Sequence, residues 1–158
     1  MTKNKRPKKI LFPAKKILCT TDLSEPSYEG ISAAAIIAET LPAELILIHV
    51  VPPVFHGGST LAPAGFDARE YYEEMKEIAK NNLEEHIKKQ IPKEIKVKIL
   101  IKEGNAPDQI VKTAEKEDVD LIVMATHGWT GWRRFIFGSV AEKVVRLSTI
   151  PVLTIPEP

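Results

Sequence analysis

Leu45-Ile46-Leu47-Ile48-His49-Val50-Val51 is interrupted by a single polar residue, His49. It is too short for a typical helix and apolar nearly throughout, the pattern of a strand in a parallel sheet covered on both faces. Pro52-Pro53 closes it. Upstream, Lys16-Ile17-Leu18-Cys19-Thr20-Thr21 reads as a second short buried strand that ends in a polar turn at Asp22. Between the two, Ser24 is placed to cap a helix and Pro26 is tolerated in its first turn. Ile31, Ala34, Ala35 and Ala38 then recur at helical spacing until Pro42. The order so far is strand, helix, strand.

Beyond Pro53 a loop rich in Gly, Pro and Ala runs to Gly65, long enough to be functional or mobile. From Asp67 to Ile91 the apolar positions Tyr72, Met75, Ile78, Ala79, Leu83 and Ile87 follow a helical period. Lys96 to Lys102 alternates lysine with Val97 and Ile99, which predicts a strand at a sheet edge whose lysines discourage further pairing. Asn105 and Pro107 open another helix, with Ile110, Val111 and Ala114 as its inner face. Leu121-Ile122-Val123-Met124-Ala125 is a buried strand. Ser139 with Glu142 three residues on matches the Ser-x-x-Glu capping box, predicting a helix lined by Val140, Val144 and Leu147. Pro151 to Pro156 encloses a last strand.

Five strands alternating with four helices predict an α/β fold: a single-domain, doubly wound, five-stranded parallel sheet with helices on both faces and right-handed crossovers. In such sheets ligands bind beyond the carboxyl ends of the strands, where the winding reverses. Three places follow: Asp22, the turn after Val50, and the loop after Ala125.

The bulk numbers agree with one domain of 158 residues and one core. A hydrophobic content of 44% with 27% charged residues argues against both disorder and a fibrous class. The single cysteine, Cys19, excludes an intrachain disulfide and lies in an apolar run, as a buried, inert thiol would. No apolar stretch reaches a membrane span, and Ile10 to Phe12 is too short for a signal-peptide core, so the cytoplasm is the expected location. Seven of the 22 Lys and Arg fall in residues 1–16, which hold no acid; the 15 that remain face 21 acids, a balance of −6. A basic arm over residues 1–14 therefore precedes an acidic domain over residues 15–158. The arm has Phe12 as its one aromatic and no recognition helix, which disfavours a nucleic-acid role.

The loop between the fourth strand and the last helix reads Ala125-Thr126-His127-Gly128-Trp129-Thr130-Gly131-Trp132-Arg133-Arg134-Phe135-Ile136-Phe137-Gly138-Ser139-Val140. Small residues past a buried strand let backbone amides approach a ligand, and the helix after them aims unpaired N–H groups and a positive dipole outward, which favours a polyphosphate. Glycines that only end strands and cap helices are the competing reading. Ser139 cannot fully serve both cap and phosphate, which shifts the binding to backbone amides. Asp22 reads equally as a plain turn residue, and His127 as a hydrogen-bonded loop histidine rather than an acid or base. Arg133 and Arg134 either neutralise phosphates or form a solvated face; Trp129 and Trp132 either meet a partner or shield the loop's base.

Ala125-x2-Gly128-x9-Gly138-Ser139 is similar to the Gly-x2-Gly-x9-Gly-Ser/Thr pattern of the ATP-binding universal stress proteins, and Ser-Val-Ala-Glu-Lys-Val-Val from Ser139 also resembles that family. The resemblance extends from Lys15 to Ile155, including Thr21-Asp22-Leu23-Ser24 and His49-Val50. It implies an adenine nucleotide alpha hydrolase-like fold with strand order 3-2-1-4-5. It implies a regulatory or stress-response role in which ATP, or else AMP or ADP, is held with little or no hydrolysis. Asp22 and the backbone near Val50 would serve the adenosine end; Gly128, Gly138, Ser139 and Val140 would hold the phosphates, with Ala125 at the first position of the nucleotide-binding pattern. It further implies a homodimer through the C-terminal strand. Ala125 departs from the pattern's first glycine, and its methyl either crowds the backbone approach or is harmless on ordinary strand dihedrals.

No Gly-x4-Gly-Lys-Ser/Thr run, Gly-x-Gly-x-x-Gly fingerprint or Gly-x-Ser-x-Gly elbow occurs, so neither efficient hydrolysis nor catalytic residues are expected. His49, His56, His86 and His127 lack paired ligand spacing, so a Mg or Mn ion would arrive on the nucleotide's phosphates. Lys102-Glu103 stands where a phosphorylation-receiver domain needs its aspartate. Two alternatives stay open: a family member that binds no nucleotide and works by protein contact, and a slow ATPase.

Overall fold

The computed structural model describes residues 13–53, 66–126 and 138–156. In chain order the elements are β1 (Lys16–Thr21), α1 (Glu25–Thr40), β2 (Glu44–Val51), α2 (Ala68–Gln90), β3 (Val97–Glu103), α3 (Ala106–Lys116), β4 (Leu121–Ala125), α4 (Ser139–Leu147) and β5 (Val152–Ile155). The strands form one sheet in the order β3-β2-β1-β4-β5, all pairs parallel. Both the doubly wound sheet and the strand order 3-2-1-4-5 are therefore as expected.

Register explains the two cores. Ile99, Leu47, Cys19, Val123 and Leu153 align across the five strands, and so do Lys98, Ile46, Leu18, Ile122 and Val152. Because side chains alternate along a strand, the two rows point to opposite faces. Leu47, Cys19 and Val123 pack with Ile31, Ala34, Ala35 and Ala38 of α1 and Leu83 of α2. Ile46, Leu18 and Ile122 pack with Ile110 and Ala114 of α3 and Ala141 and Val144 of α4. Each fully buried Leu or Ile contributes about 1.5–3 kcal/mol, so truncating Ile46 or Leu47 would remove more stability than any surface change.

Winding reverses between β1 and β4, where α1 leaves to one face and α3 and α4 cover the other. The helix starts follow the capping chemistry. Ser24 caps α1, Asp67 accepts from Arg69 and Glu70 N–H at the head of α2, and Asn105 caps α3 with proline in the first turn. β3 is an edge strand, half-buried along most of its length, in agreement with its lysine alternation.

Three sequence expectations are corrected. Gly138, not Ser139, is the N-cap of α4, with no side-chain cap hydrogen bond; Ser139 is the first helical residue, so the Ser-x-x-Glu pattern does not form a capping box. The face α4 presents to the sheet is Ala141 and Val144, while Val140 and Leu147 stay 36% and 50% exposed. In α2 the buried residues are Ala79 and Leu83, and Ile78 is exposed. In both helices the periodicity identified apolar positions correctly but placed the buried stripe too wide, because a helix that packs by one side buries only the narrow stripe in contact with its neighbours.

Candidate functional site

At the carboxyl ends of β1, β2 and β4 the even-numbered row continues as Thr20, Ile48 and Met124, which floor a cavity on the α3/α4 face. Its inner part, about 220 Å³, is walled by Ile48, Val50, Ala106, Ile110 and Met124, with Thr21, Asp22, Thr126, Gly138 and Ser139 at its polar end. An outer part of about 540 Å³ continues over His49, Pro52, Asn105, Pro107 and Lys143, and shares Asp22, Val50, Ala106, Ser139 and Val140 with the inner one. Gly104, at φ +129, turns the chain from β3 into α3 at this rim, a conformation that suits glycine.

The turn after β1 is closed by its own hydroxyls. Thr21 Oγ1 and Ser27 Oγ are 2.7 Å apart, and Leu23 N–H donates to Thr21 Oγ1 at 3.0 Å. Asp22 Oδ1 accepts from Ser24 N–H at 3.1 Å and from the Ser24 hydroxyl; Ser24 Oγ in turn accepts from Ser27 N–H at 3.3 Å. These bonds hold Leu23 at φ 66, a left-handed conformation that costs a non-glycine residue about 1–2 kcal/mol. The result is a carboxylate presented to the cleft on a fixed hinge. Tyr28 lies one turn into α1; burial, and secondarily the Asp22 charge, push its phenol above the ordinary range.

β2 contributes Val50 and His49. His49 Nδ1 lies 2.9 Å from Thr21 O, and since a carbonyl only accepts, Nδ1 carries the proton. That bond ties the ends of β1 and β2 together. β4 ends in Ala125 and Thr126; Thr126 N–H donates to Ile155 O at 2.9 Å, and Thr126 O accepts from Gly138 N–H at 2.6 Å. The start of α4 is thus fastened to the end of β4, with the first-turn amides of α4 at the cleft and a positive dipole end toward it.

Asp22, Val50, Ala125, Gly138, Ser139 and Val140 all line this one cleft, although they come from four separate stretches of chain. Gly128 lies outside the described residues, as do His127, Trp129, Trp132, Arg133 and Arg134. Sequence reasoning missed the floor residues Thr20, Ile48 and Met124, and the far wall of Ala106 and Ile110. Strand alternation was the signal available for the floor: counted from Asp22 and Val50, the even positions share their face. Cys19 points to the other face, buried, and desolvation pushes its thiol far up, so it remains protonated and unreactive. Among the described residues no group of three or more His, Cys, Asp or Glu is arranged to hold a metal, and no helix is long and apolar enough to cross a membrane.

Residues 13–156 match the model of the universal stress protein family. Universal stress protein MJ0531 of Methanocaldococcus jannaschii is 38% identical over 149 residues, covering 91% of this chain and 83% of that protein. Universal stress protein MJ0577 of the same organism is 35% identical over 153 residues, covering 89% and 94%. The solved structure of hypothetical protein MJ0577 superposes with a TM-score of 0.77 at 33% identity, over 91% of this chain and 96% of that one. Two more distant structures share the fold. One is a universal stress protein in complex with cAMP (TM-score 0.64, 20% identity, 90% and 97% coverage). The other is an Archaeoglobus fulgidus universal stress protein in complex with dAMP (TM-score 0.60, 24% identity, 93% and 99% coverage).

Proposed function

The chain belongs to the universal stress protein family, and from that premise we propose that it holds an adenine nucleotide, ATP foremost, in the cleft at the carboxyl ends of its strands, as a regulatory or stress-response protein of the cytoplasm. The observation that carries this reading is the convergence of Asp22, Val50, Ala125, Gly138, Ser139 and Val140 on one cavity. The apolar inner part, between Ile48, Val50, Ile110 and Met124, suits a flat base. Asp22 at its mouth suits ribose hydroxyls, and the uncapped start of α4 suits phosphates. AMP and ADP would use the same base and ribose contacts. The cAMP and dAMP complexes establish for those proteins that this fold houses an adenine nucleotide; for this chain the support is its own residues.

The same geometry favours holding over cleaving. The buried thiol of Cys19 faces away, and the carboxylate of Asp22 is engaged in the turn of α1. A Mg or Mn ion would be carried by the phosphates. The test is to denature freshly purified protein, identify any released nucleotide, and titrate ATP and AMP calorimetrically. A one-to-one complex is expected. No retained nucleotide and no heat up to about millimolar ATP, the weak end of specific binding, would favour a protein-contact role. Turnover above a buffer blank, lost on changing a cleft residue, would favour a slow ATPase.

We also propose that β5, an edge strand with Leu153 38% exposed, pairs with its copy in a homodimer, since a bare apolar edge invites uncontrolled association. A monomer mass by light scattering at micromolar concentration would refute it.

A further inference from the structure

Thr20 and Thr21 are neighbours on β1, and their hydroxyls are used differently. Leu18 packs on the α3/α4 face and Cys19 on the α1 face, so alternation turns Thr20 toward the cleft and Thr21 toward α1. Thr21 Oγ1 is taken up by Ser27 Oγ and Leu23 N–H. Thr20 is only 9% exposed, and among the described residues its hydroxyl has no hydrogen-bond partner; it opens into the inner cavity. Leaving a buried hydroxyl unpaired is costly, and valine would fill the same space without that cost. The row in which Thr20 stands is otherwise apolar, with Leu18 before it and Ile48 in register beside it. A few polar atoms aimed into an apolar cavity are what fix a bound ligand's orientation and identity.

We propose that Thr20 is a specificity-determining residue of the cleft: its hydroxyl hydrogen-bonds the nitrogen-bearing edge of a nucleobase seated in the inner cavity. The inference rests on the nucleotide reading above. Depth assigns the hydroxyl to the base. Asp22, at the mouth, lies one side-chain repeat beyond Thr20 along β1, roughly 6.6 Å at the rise of a parallel strand. β4 gives the same depth. Cys19 is in register with Val123, which sets Thr20 level with Met124; Thr126, whose carbonyl fastens Gly138 at the head of α4, lies one repeat beyond Met124. The places proposed for sugar and phosphate thus both lie above Thr20, while the apolar Ile48, Ile110 and Met124 line the part of the cavity into which it opens. A hydroxyl both donates and accepts, so it can meet a ring nitrogen or an exocyclic amine, and it selects against a ring of the same shape that lacks its partner.

The experiment titrates wild type, Thr20→Val and Thr20→Ser with ATP by calorimetry, and takes thermal melts of each without nucleotide. The titrations are repeated with dATP and with ATP analogues that each lack one polar group of the base, either the exocyclic amine or a single ring nitrogen. Thr20→Val is expected to weaken ATP by about tenfold, the worth of one hydrogen bond, and Thr20→Ser to stay within about threefold of wild type. For the analogue that lacks the group Thr20 meets, the Thr20→Val penalty should fall below about twofold, while the other analogues keep it. Without nucleotide, Thr20→Val should melt no lower than wild type, since the hydroxyl it removes is unpaired. ATP binding by Thr20→Val at wild-type affinity or tighter overturns the proposal, because the hydroxyl is then met only by cleft water. A penalty of equal size for every base analogue overturns it as well. A penalty that vanishes for dATP moves the hydroxyl to the sugar and overturns the base assignment. A lowered melt with an ATP loss that serine does not restore is the signature of a merely structural threonine and has the same result. No ATP binding by wild type up to about millimolar removes the nucleotide reading and this inference with it. Wild-type binding that Thr20→Val leaves intact removes the inference alone. If Thr20→Val does not fold, Thr20→Ser against Thr20→Ala makes the same hydroxyl deletion, with a gap of about tenfold as support and equal affinity as refutation.

Discussion

The two helices that start at the switch point face the same cleft but begin in opposite ways. α1 starts in a closed turn: Ser24 caps it, Asp22 grips Ser24, and Ser27 returns a hydrogen bond to Ser24 O at 2.8 Å. α4 starts at Gly138, with no side-chain cap bond and with Ser139 at the cavity wall. Every helix N-terminus carries unpaired amides and a positive dipole end. Which of them becomes an anion site is decided by whether the chain's own side chains already occupy those amides. On that criterion the first turn of α1 is closed by its own side chains, and that of α4 is left without a side-chain cap at the cleft wall.

The largest effect is expected from making α4 begin like α1. Gly138 sits at φ −66 and ψ 156, extended backbone open to any residue, so Gly138→Asp can supply a capping carboxylate. It should add a few tenths of a kcal/mol of stability, about the Gly-to-Asp difference at a cap. It should also weaken ATP by about a hundredfold or more through like-charge repulsion. A calorimetric titration showing wild-type affinity would mean that α4 is not the phosphate end.

Opening α1 is the intermediate case. Ser24→Ala removes the cap and a partner of Asp22, which should cost about 1 kcal/mol, or about 3 °C in melting temperature for a chain of this size. ATP should weaken only a few-fold, through the loosened Asp22. A hundredfold loss with an unchanged melt would reverse the roles assigned to the two helices.

The smallest effect concerns the other side of α1. Tyr28 stacks on His86 of α2 with ring centroids 4.2 Å apart and planes 17° from parallel. His86 Nε2 is buried without a hydrogen bond among the described residues, and desolvation lowers the imidazole's pKa. A folded-state value below the unfolded one of about 6.5 means that the stability is complete above that pH and is lost as pH falls toward and through the folded value. His86→Phe retains a ring against Tyr28 and removes the titration. The melting-temperature drop between about pH 7.5 and about pH 5 should then shrink by about 1–2 °C, with ATP affinity at neutral pH as in wild type. An unchanged acid profile would place the sensitivity elsewhere.

Much of this contrast was legible in residue order. The run Leu45 to Val51, the apolar Leu121 to Ala125 and the caps Ser24 and Asn105 carry local chemistry, and each formed where the pattern placed it. Ser139 misled because Ser-x-x-Glu satisfies the capping rule one residue late; Gly138, whose N–H donates to Thr126 O, is the N-cap, and Ser139 is the first helical residue. Val140 misled in the same way, since an apolar residue at helical spacing is equally consistent with core and with a cleft wall.

Sequence by itself determined the number, kind and order of the elements, the parallel sheet, and the stretches from which a site would be built, because strand alternation, helical period and capping act over a few neighbouring residues. Tertiary structure alone decided how α4 is rotated against the sheet and which strand face carries the cavity. Those depend on what lies across space from a residue, and a local period records which side chains share a face without recording what that face will meet.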